Sequence, residues 1–397
     1  MTDTVTLPDT PAALAAAREV APALAARAAE HDGPGAFPAA DFDDLRARGL
    51  LGLMVPTRLG GPGAGFADYA EVAMALAHGA GATALIYNMH ASVTGALALT
   101  PDEVLHALGV PDSYLDVRDR ALARARDGAL YAVAMSERGA GSRLSKITTT
   151  YEAVDGGYRI VGAKAFVSGA GHADGYLVAA RERDVDPPRV SYFLVPAGPG
   201  LTVEETWNSL GMRATASQDL HLDVVVPADT LLGGVEGLTL LIAQVMPQWL
   251  VASYAAVYVG VAQSCVDEAV RHLTERGLAR LPAVRARVGR AEARVAATRL
   301  AVRETARRVD AEPGQPETNH WVWRAKLLAG ETAMEVAASM LEAAGTSATR
   351  RGHPLERLYR DARCGSLQPA TSDVCADWLG AATLGLDPHA DADVARW

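Results

Sequence analysis

The spacing of apolar positions along this chain changes twice. From Pro11 to about Arg126 it is helical: Leu14, Val20 and Leu24 recur close to one or two turns apart, and Thr10-Pro11 reads as a cap followed by proline at the first helical position. A second helix is predicted through Phe42, Leu45 and Leu50-Leu51, ending near Val55-Pro56 and the turn at Gly60-Gly61. A third, the most apolar, is predicted from Phe66 to Leu99. From Ala129 to about Gly233 the texture is that of strands. Residues 158–161 and 192–195 are short β-rich runs, Asp155-Gly156-Gly157 marks a turn, and Leu220, Leu222 and Val224 alternate with His221 and Asp223. From Leu238 helical spacing returns and runs through Gly385, with the arginines between 279 and 308 on a solvated face. The fold class is therefore α+β. An N-terminal helical domain (1–127), a middle antiparallel β-barrel-like domain (128–233) and a C-terminal helical bundle (234–397) are expected.

Composition narrows the function classes. Hydrophobic residues make up 49% of the 397, enough for a sizeable core, and the low aromatic share of 6% suits packed helices. The formal net charge of −10 argues against a nucleic-acid partner, which needs clustered Lys and Arg, but leaves room for one local anionic ligand. Cys265, Cys364 and Cys375 form no CxxC pair and read as reduced thiols of a cytosolic protein, not as a metal site. Apolar runs such as residues 238–245 fall far short of the roughly 20 residues of a membrane span. The opening Met1-Thr2-Asp3 lacks a basic stretch followed by an apolar one. A cytoplasmic protein without membrane association is expected.

Candidate chemistry sits in the strand-rich region. In Ser136-Glu137-Arg138-Gly139-Ala140-Gly141-Ser142 the glycines make a loop that lets backbone N–H groups approach a planar or anionic ligand. Ser136 and Ser168 can each bond a ring heteroatom. After residues 158–161 comes Gly162-Ala163-Lys164-Ala165-Phe166-Val167-Ser168-Gly169, then Ala173-Asp174, Gly211-Met212-Arg213 and Val226-Pro227. Near the end stands Pro354-Leu355-Glu356-Arg357-Leu358-Tyr359-Arg360-Asp361. In this order, over about residues 50 to 385, the motifs resemble those of the acyl-CoA dehydrogenase superfamily, including its flavin-dependent monooxygenase-like branch. The resemblance implies the acyl-CoA dehydrogenase fold, FAD as cofactor with FMN as the alternative, and a homodimer or homotetramer. It implies cofactor contacts at Met135, Ser136, Gly141, Ser142, Phe166, Ser168, Glu342, Gly345, Thr371 and Asp373. Ser168 would meet the flavin N5 edge, Phe166 the ring face, Ser136 the pyrimidine side, and Ser142 the cofactor or substrate phosphate region.

The chain also departs from the family. The family's usual base is a Glu in a Y-E-G-T stretch. The matching stretch here is Ser366-Leu367-Gln368-Pro369-Ala370-Thr371, with Pro369 at the base position, and the alternative place near Trp249-Leu250 holds no acid. The R-x-x-F-G segment that reaches the adenine half of the cofactor is missing; Glu275-Arg276-Gly277-Leu278-Ala279-Arg280-Leu281-Pro282 leaves Arg276 or Arg280 to meet a pyrophosphate. Arg138 and Arg143 read either as phosphate contacts or as solvated charges. Asp373 and Glu342 are the nearest acids to the cofactor contacts and read as helix caps or partners of arginines. His90, in Tyr87-Asn88-Met89-His90, is expected to face the substrate cavity, either as a hydrogen-bonded core residue or, as in monooxygenases of this fold, beside the reactive flavin edge. His90 and Ser168 are thus the catalytic candidates. Three functions follow in order of expectation: oxidation of an acyl thioester, carried on CoA or a carrier protein, without the usual base; oxygenation of a small molecule with reduced flavin from a partner reductase; and flavin binding without turnover.

Overall fold

The computed structural model describes residue 7 and residues 9–387; Met1-Thr2-Asp3, on which the expectation about a leader rests, lies outside the described residues. Six helices come first: α1 (Thr10–Asp32), α2 (Ala39–Ala47), α3 (Phe66–Gly79), α4 (Gly81–Leu99), α5 (Asp102–Ala107) and α6 (Asp112–Arg126). The cap of α1 is Asp9, one residue before the predicted Thr10, and its carboxylate accepts the Ala12 N–H at 2.9 Å. Two predicted helices are interrupted. The second stops at Ala47, because Gly49 takes a left-handed φ of 68° and Leu50–Gly52 forms a separate 3₁₀ turn. The third is two helices that meet at Ala80, whose backbone is extended.

Seven strands follow: β1 (Tyr131–Ala134), β2 (Thr150–Val154), β3 (Gly157–Val167), β4 (Gly175–Glu182), β5 (Val190–Pro196), β6 (Leu201–Glu204) and β7 (Gln218–Pro227). They form one curled sheet in the order β1-β4-β2-β3-β7-β6, with β5 also on β4. Pairing is antiparallel as predicted, except that β1 and β2 both run parallel to β4. Between β2 and its parallel neighbour β4 the chain runs back through β3 instead of turning in a hairpin, and such a return is what a parallel neighbour needs. Tyr151, Tyr158 and Phe193 pack ring against ring inside the curl.

The bundle comprises α7 (Leu238–Val245), α8 (Ala252–Glu275), α9 (Pro282–Ala311), α10 (Pro316–Ala344), α11 (Pro354–Arg363) and α12 (Ser372–Thr383). The stretch Pro247–Glu275 is long and apolar enough to cross a membrane, but 83% of its apolar 18-residue window is buried inside the protein, as befits a central core helix. The motif that ends in Arg360-Asp361 ties this bundle to the rest of the chain. Arg360 bonds Asp32 at the end of α1 at 2.6 and 3.1 Å, and Asp361 Oδ1 accepts the Met212 N–H at 2.5 Å. Burial lifts the Asp361 carboxyl to about 6, against the pull of that N–H.

Candidate functional site

One irregularity in the sheet builds the site. β3 pairs with β7 up to Lys164 opposite Leu220, and the register then slips before Val167 meets Gln218. Inside the slip Phe166 is held at a φ of 60°, a left-handed conformation that costs an aromatic residue on the order of 1 kcal/mol or more. The Ala165 N–H donates to the Ser136 carbonyl at 2.8 Å, which pins the bulge to the glycine loop. As a result Lys164 points inward, while Phe166 is turned out and left 56% exposed on the wall of a cleft.

Lys164 anchors the underside. Its ammonium lies 2.7 Å from Glu137 Oε1, both side chains are buried, and Glu137 also accepts N–H groups from Thr148 and Thr149 at 2.6 and 3.0 Å. Burial opposes the Glu137 charge, but Lys164 and these hydrogen bonds outweigh it and hold the carboxyl at about 2. Above the pair, Glu137 and Gly141 exchange N–H···O bonds of 3.0 and 2.9 Å, with Gly139 and Gly141 at φ of 90° and 62°. A Cβ at either glycine would meet nothing within 4 Å, so backbone conformation and not space selects glycine here. The Gly141 N–H is spent inside the loop and does not reach toward a ligand.

The cleft holds about 560 Å³ between the sheet and the bundle. Of the expected contacts, Met135, Ser136, Gly141, Ser142, Phe166, Ser168 and Thr371 all line it, as does Pro369 at the place of the missing base. Unforeseen wall residues are Trp207, Thr215, Ser217 and Gln368, and Tyr254 joins them from α8. The Trp207 ring stands edge-on to Phe166 at 6.2 Å. Three hydroxyls form a chain: Thr215 Oγ1 donates to the Met212 carbonyl at 2.8 Å, Ser217 Oγ lies 2.7 Å from Thr215 Oγ1, and Ser168 Oγ lies 2.8 Å from Ser217 Oγ. With the Thr215 proton used, Ser217 must donate to Thr215, and Ser168 must donate to Ser217. Ser168 then faces the cleft with lone pairs only. Behind the Gln368-Pro369 wall, the buried Lys326 ammonium donates to the Gly365 carbonyl at 2.9 Å, and burial lowers it to about 8.

Four expected site residues lie elsewhere. His90 does not face the cleft: Nε2–H donates to the Leu51 carbonyl at 2.7 Å and Nδ1 accepts the Tyr131 N–H at 3.0 Å. Both nitrogens are therefore occupied, and burial pushes the ring down to about 4, so it is a neutral clip between α4, β1 and the turn at Leu50–Gly52. Glu342 is exposed and paired with Arg287 at 2.6 Å. Gly345 caps α10 at a φ of 79°. Asp373 is exposed in the first turn of α12, whose cap is Thr371. Of the two loop arginines, Arg138 is paired with Asp219 at 2.6 Å and Arg143 bonds the Ala140 carbonyl at 3.2 Å.

A smaller chamber of about 120 Å³ adjoins the cleft and shares Val133, Met135 and Leu250 with it. It lies among α4, α7 and the turn Pro247–Trp249, and its wall is mostly apolar. Gly95 lets the Trp249 indole lie against α4; a Cβ there would fall 2.1 Å from the ring.

A helical domain, a curled sheet with an aromatic and a hydroxyl on its bulge, and a helical bundle that closes the cleft together define an acyl-CoA dehydrogenase-type protein. Sequence comparison agrees along the chain. The family's N-terminal, middle and C-terminal domains match residues 9–103, 132–225 and 249–382. L-evernosamine nitrososynthase of Micromonospora sp. is 33% identical, with 94% of this chain and 90% of that protein covered. The putative acyl-CoA dehydrogenase YdbM of Bacillus subtilis is 30% identical, with 89% and 92% covered. The crystal structure of FMN-bound TdsC from Paenibacillus sp. A11-2 superimposes with a TM-score of 0.80 at 27% identity, covering 94% and 97% of the two chains. The chain belongs to the acyl-CoA dehydrogenase superfamily, whose members are flavin-dependent oxidoreductases.

Proposed function

We propose that the protein is a flavin-dependent monooxygenase that receives reduced flavin, as FMN or FAD, from a separate reductase and oxygenates a small substrate held in the apolar chamber. The observation that carries this reading is the chemistry of the walls. Among the described residues that line the cleft and the chamber there is no Asp, Glu or His. Abstraction of a proton next to a thioester needs such a base within hydrogen-bond reach, and Pro369 stands where the family keeps it. Acyl-thioester oxidation, the first expectation from sequence, thus loses its base, whereas oxygen transfer from a reduced flavin asks for no protein base at that place.

The wall residues fit an isoalloxazine. Phe166 offers an exposed aromatic face, Trp207 stands at its edge, and the hydroxyls of Ser136, Ser142 and Ser168 surround the same space. Ser168, turned into an acceptor by Ser217 and Thr215, suits the N–H that a flavin carries at N5 only when reduced. Leu85, Met89, Val133 and Leu250 keep water from the opposite side. Bound reduced flavin would supply the activation of dioxygen; the protein's part is to orient the ring, accept its N–H and keep the space dry. The nitrososynthase relative and the FMN-bound TdsC structure favour the same reading.

The test is oxygen-18 labelling. With NAD(P)H, a flavin reductase, FMN or FAD and ¹⁸O₂, label from dioxygen is expected in the product of a candidate substrate. Anaerobic bleaching of the bound oxidised flavin by an acyl thioester would instead establish dehydrogenation and overturn the proposal.

A further inference from the structure

The chamber beside the cleft contains polar side chains, Gln248 and Thr239 among them, that its protein neighbours do not use. Gln248, in the turn Pro247–Trp249, is 6% exposed, and Thr239, in the first turn of α7, is 2% exposed. Both line the chamber, and neither side chain has a hydrogen-bond partner among the described residues. Nearby polar groups are engaged: Ser92 Oγ bonds the Asn88 and Trp249 carbonyls at 2.8 and 2.9 Å, Thr100 Oγ1 bonds the Ala96 carbonyl at 2.7 Å, and Arg118 is paired with Asp102 at 2.6 Å. Buried amides and hydroxyls in folded proteins are almost always hydrogen-bonded, so two that are left over on one cavity wall point to a guest that completes them.

Size and charge limit that guest. The chamber's 120 Å³ is close to the roughly 150 Å³ of an apolar cavity that takes up benzene. Its one charged lining residue, Arg118, is already neutralised by Asp102. A charged or many-hydroxyl guest would strip its own water without replacement bonds.

We propose that the chamber binds an uncharged, ring-sized group carrying one hydrogen-bonding function, which Gln248 and Thr239 read. Gln248 can both donate and accept, so an amide, an alcohol or a ring N–H would satisfy it. Discrimination comes from the penalty of leaving the pair unmatched: an apolar guest of equal shape fills the space but leaves both groups bare. The inference rests on the proposed function only in taking the chamber's guest to be the substrate.

Calorimetric titration of the full-length protein with oxidised FMN and no reductant tests it, with benzamide, toluene and D-glucosamine as probes. Benzamide is expected to bind about tenfold or more tighter than toluene, and glucosamine not to bind. Gln248→Leu should weaken benzamide about ten- to hundredfold and leave toluene unchanged, which also shows that the variant is folded. Thr239→Val should produce a smaller loss in the same direction. Equal affinity for benzamide and toluene, binding of neither, or equal weakening of both probes in both variants would overturn the inference. Because no turnover occurs, the expected pattern in a protein that never incorporates oxygen from dioxygen would keep this inference and remove the proposed function.

Discussion

Ser168 Oγ and Ser217 Oγ lie 2.8 Å apart although 49 residues separate them in sequence. That contact decides which way the Ser168 hydroxyl points. In Ser217→Ala the Ser168 proton is free to turn toward the cleft, and the hydroxyl can donate to an oxidised ring as readily as it accepts from a reduced one. Loss of one oriented hydrogen bond is worth about 1 kcal/mol, so the preference for reduced over oxidised FMN should fall about fivefold. Anaerobic fluorescence titrations with both redox forms measure it, and Ser217→Thr should retain the preference. An unchanged ratio in Ser217→Ala would show that the hydroxyl chain has no such role.

Lys164 and Glu137 should behave as a unit. Lys164→Met leaves a buried carboxylate without its cation and is expected to cost about 3–5 kcal/mol in urea unfolding. Adding Glu137→Gln should recover part of this loss, because the neutral amide leaves no bare charge and its one oxygen can still accept from Thr148 or Thr149. Additive losses in the double variant would contradict the pairing.

Acid titration should expose two opposing groups. Burial lowers His90 from 6.5 to about 4, so its contribution is present above pH 6.5 and is lost as pH falls toward 4. Burial raises Asp361 from 3.8 to about 6, so its contribution is present below pH 3.8 and is lost as pH rises through 6. Either displacement from the ordinary value corresponds to about 3 kcal/mol. Relative to the wild type, His90→Gln should gain stability as pH drops from 6.5 to 4. Asp361→Asn should gain as pH rises from 4 to 6. Chemical denaturation across this range checks both signs.

Gly95→Ala drives a methyl into the Trp249 ring. Overpacking of this kind costs about 1–3 kcal/mol and should shift tryptophan fluorescence and near-UV dichroism while far-UV dichroism is kept. A variant with unaltered spectra and stability would mean that α4 and the indole are less tightly apposed than described.

Much of the fold and half of the site could be read from residue patterns because both are local. Period changes mark the three regions, and the run from Ser136 to Ser142 and the run from Gly162 to Gly169 each fall within a few consecutive residues. What stayed hidden depends on distant pairing. Ser217 and Thr215 reach Ser168 only through the slipped register of β3 and β7, and no local pattern announces that slip. The side of α4 that His90 takes is not legible in sequence, because the helix is buried nearly all round and a helix without a polar face offers no periodicity to tell which side meets the cleft. Glu342 does not line the cleft in this chain and is engaged by Arg287 from α9, a partner that lies 55 positions away and that no local pattern announces.

The bulge at Ala165-Phe166 and the turn at Pro247–Trp249 lie on separate walls and share no side-chain bond among the described residues. The wall that carries the bulge is locked by a buried ion pair and a strained aromatic. The chamber wall is closed by a short helix and a turn, α7 and Pro247–Trp249. On the proposed reading such a protein exchanges the molecule it works on by altering a dozen residues around 238–250 while the flavin end stays as it is, which makes that stretch the place to look when comparing its descendants.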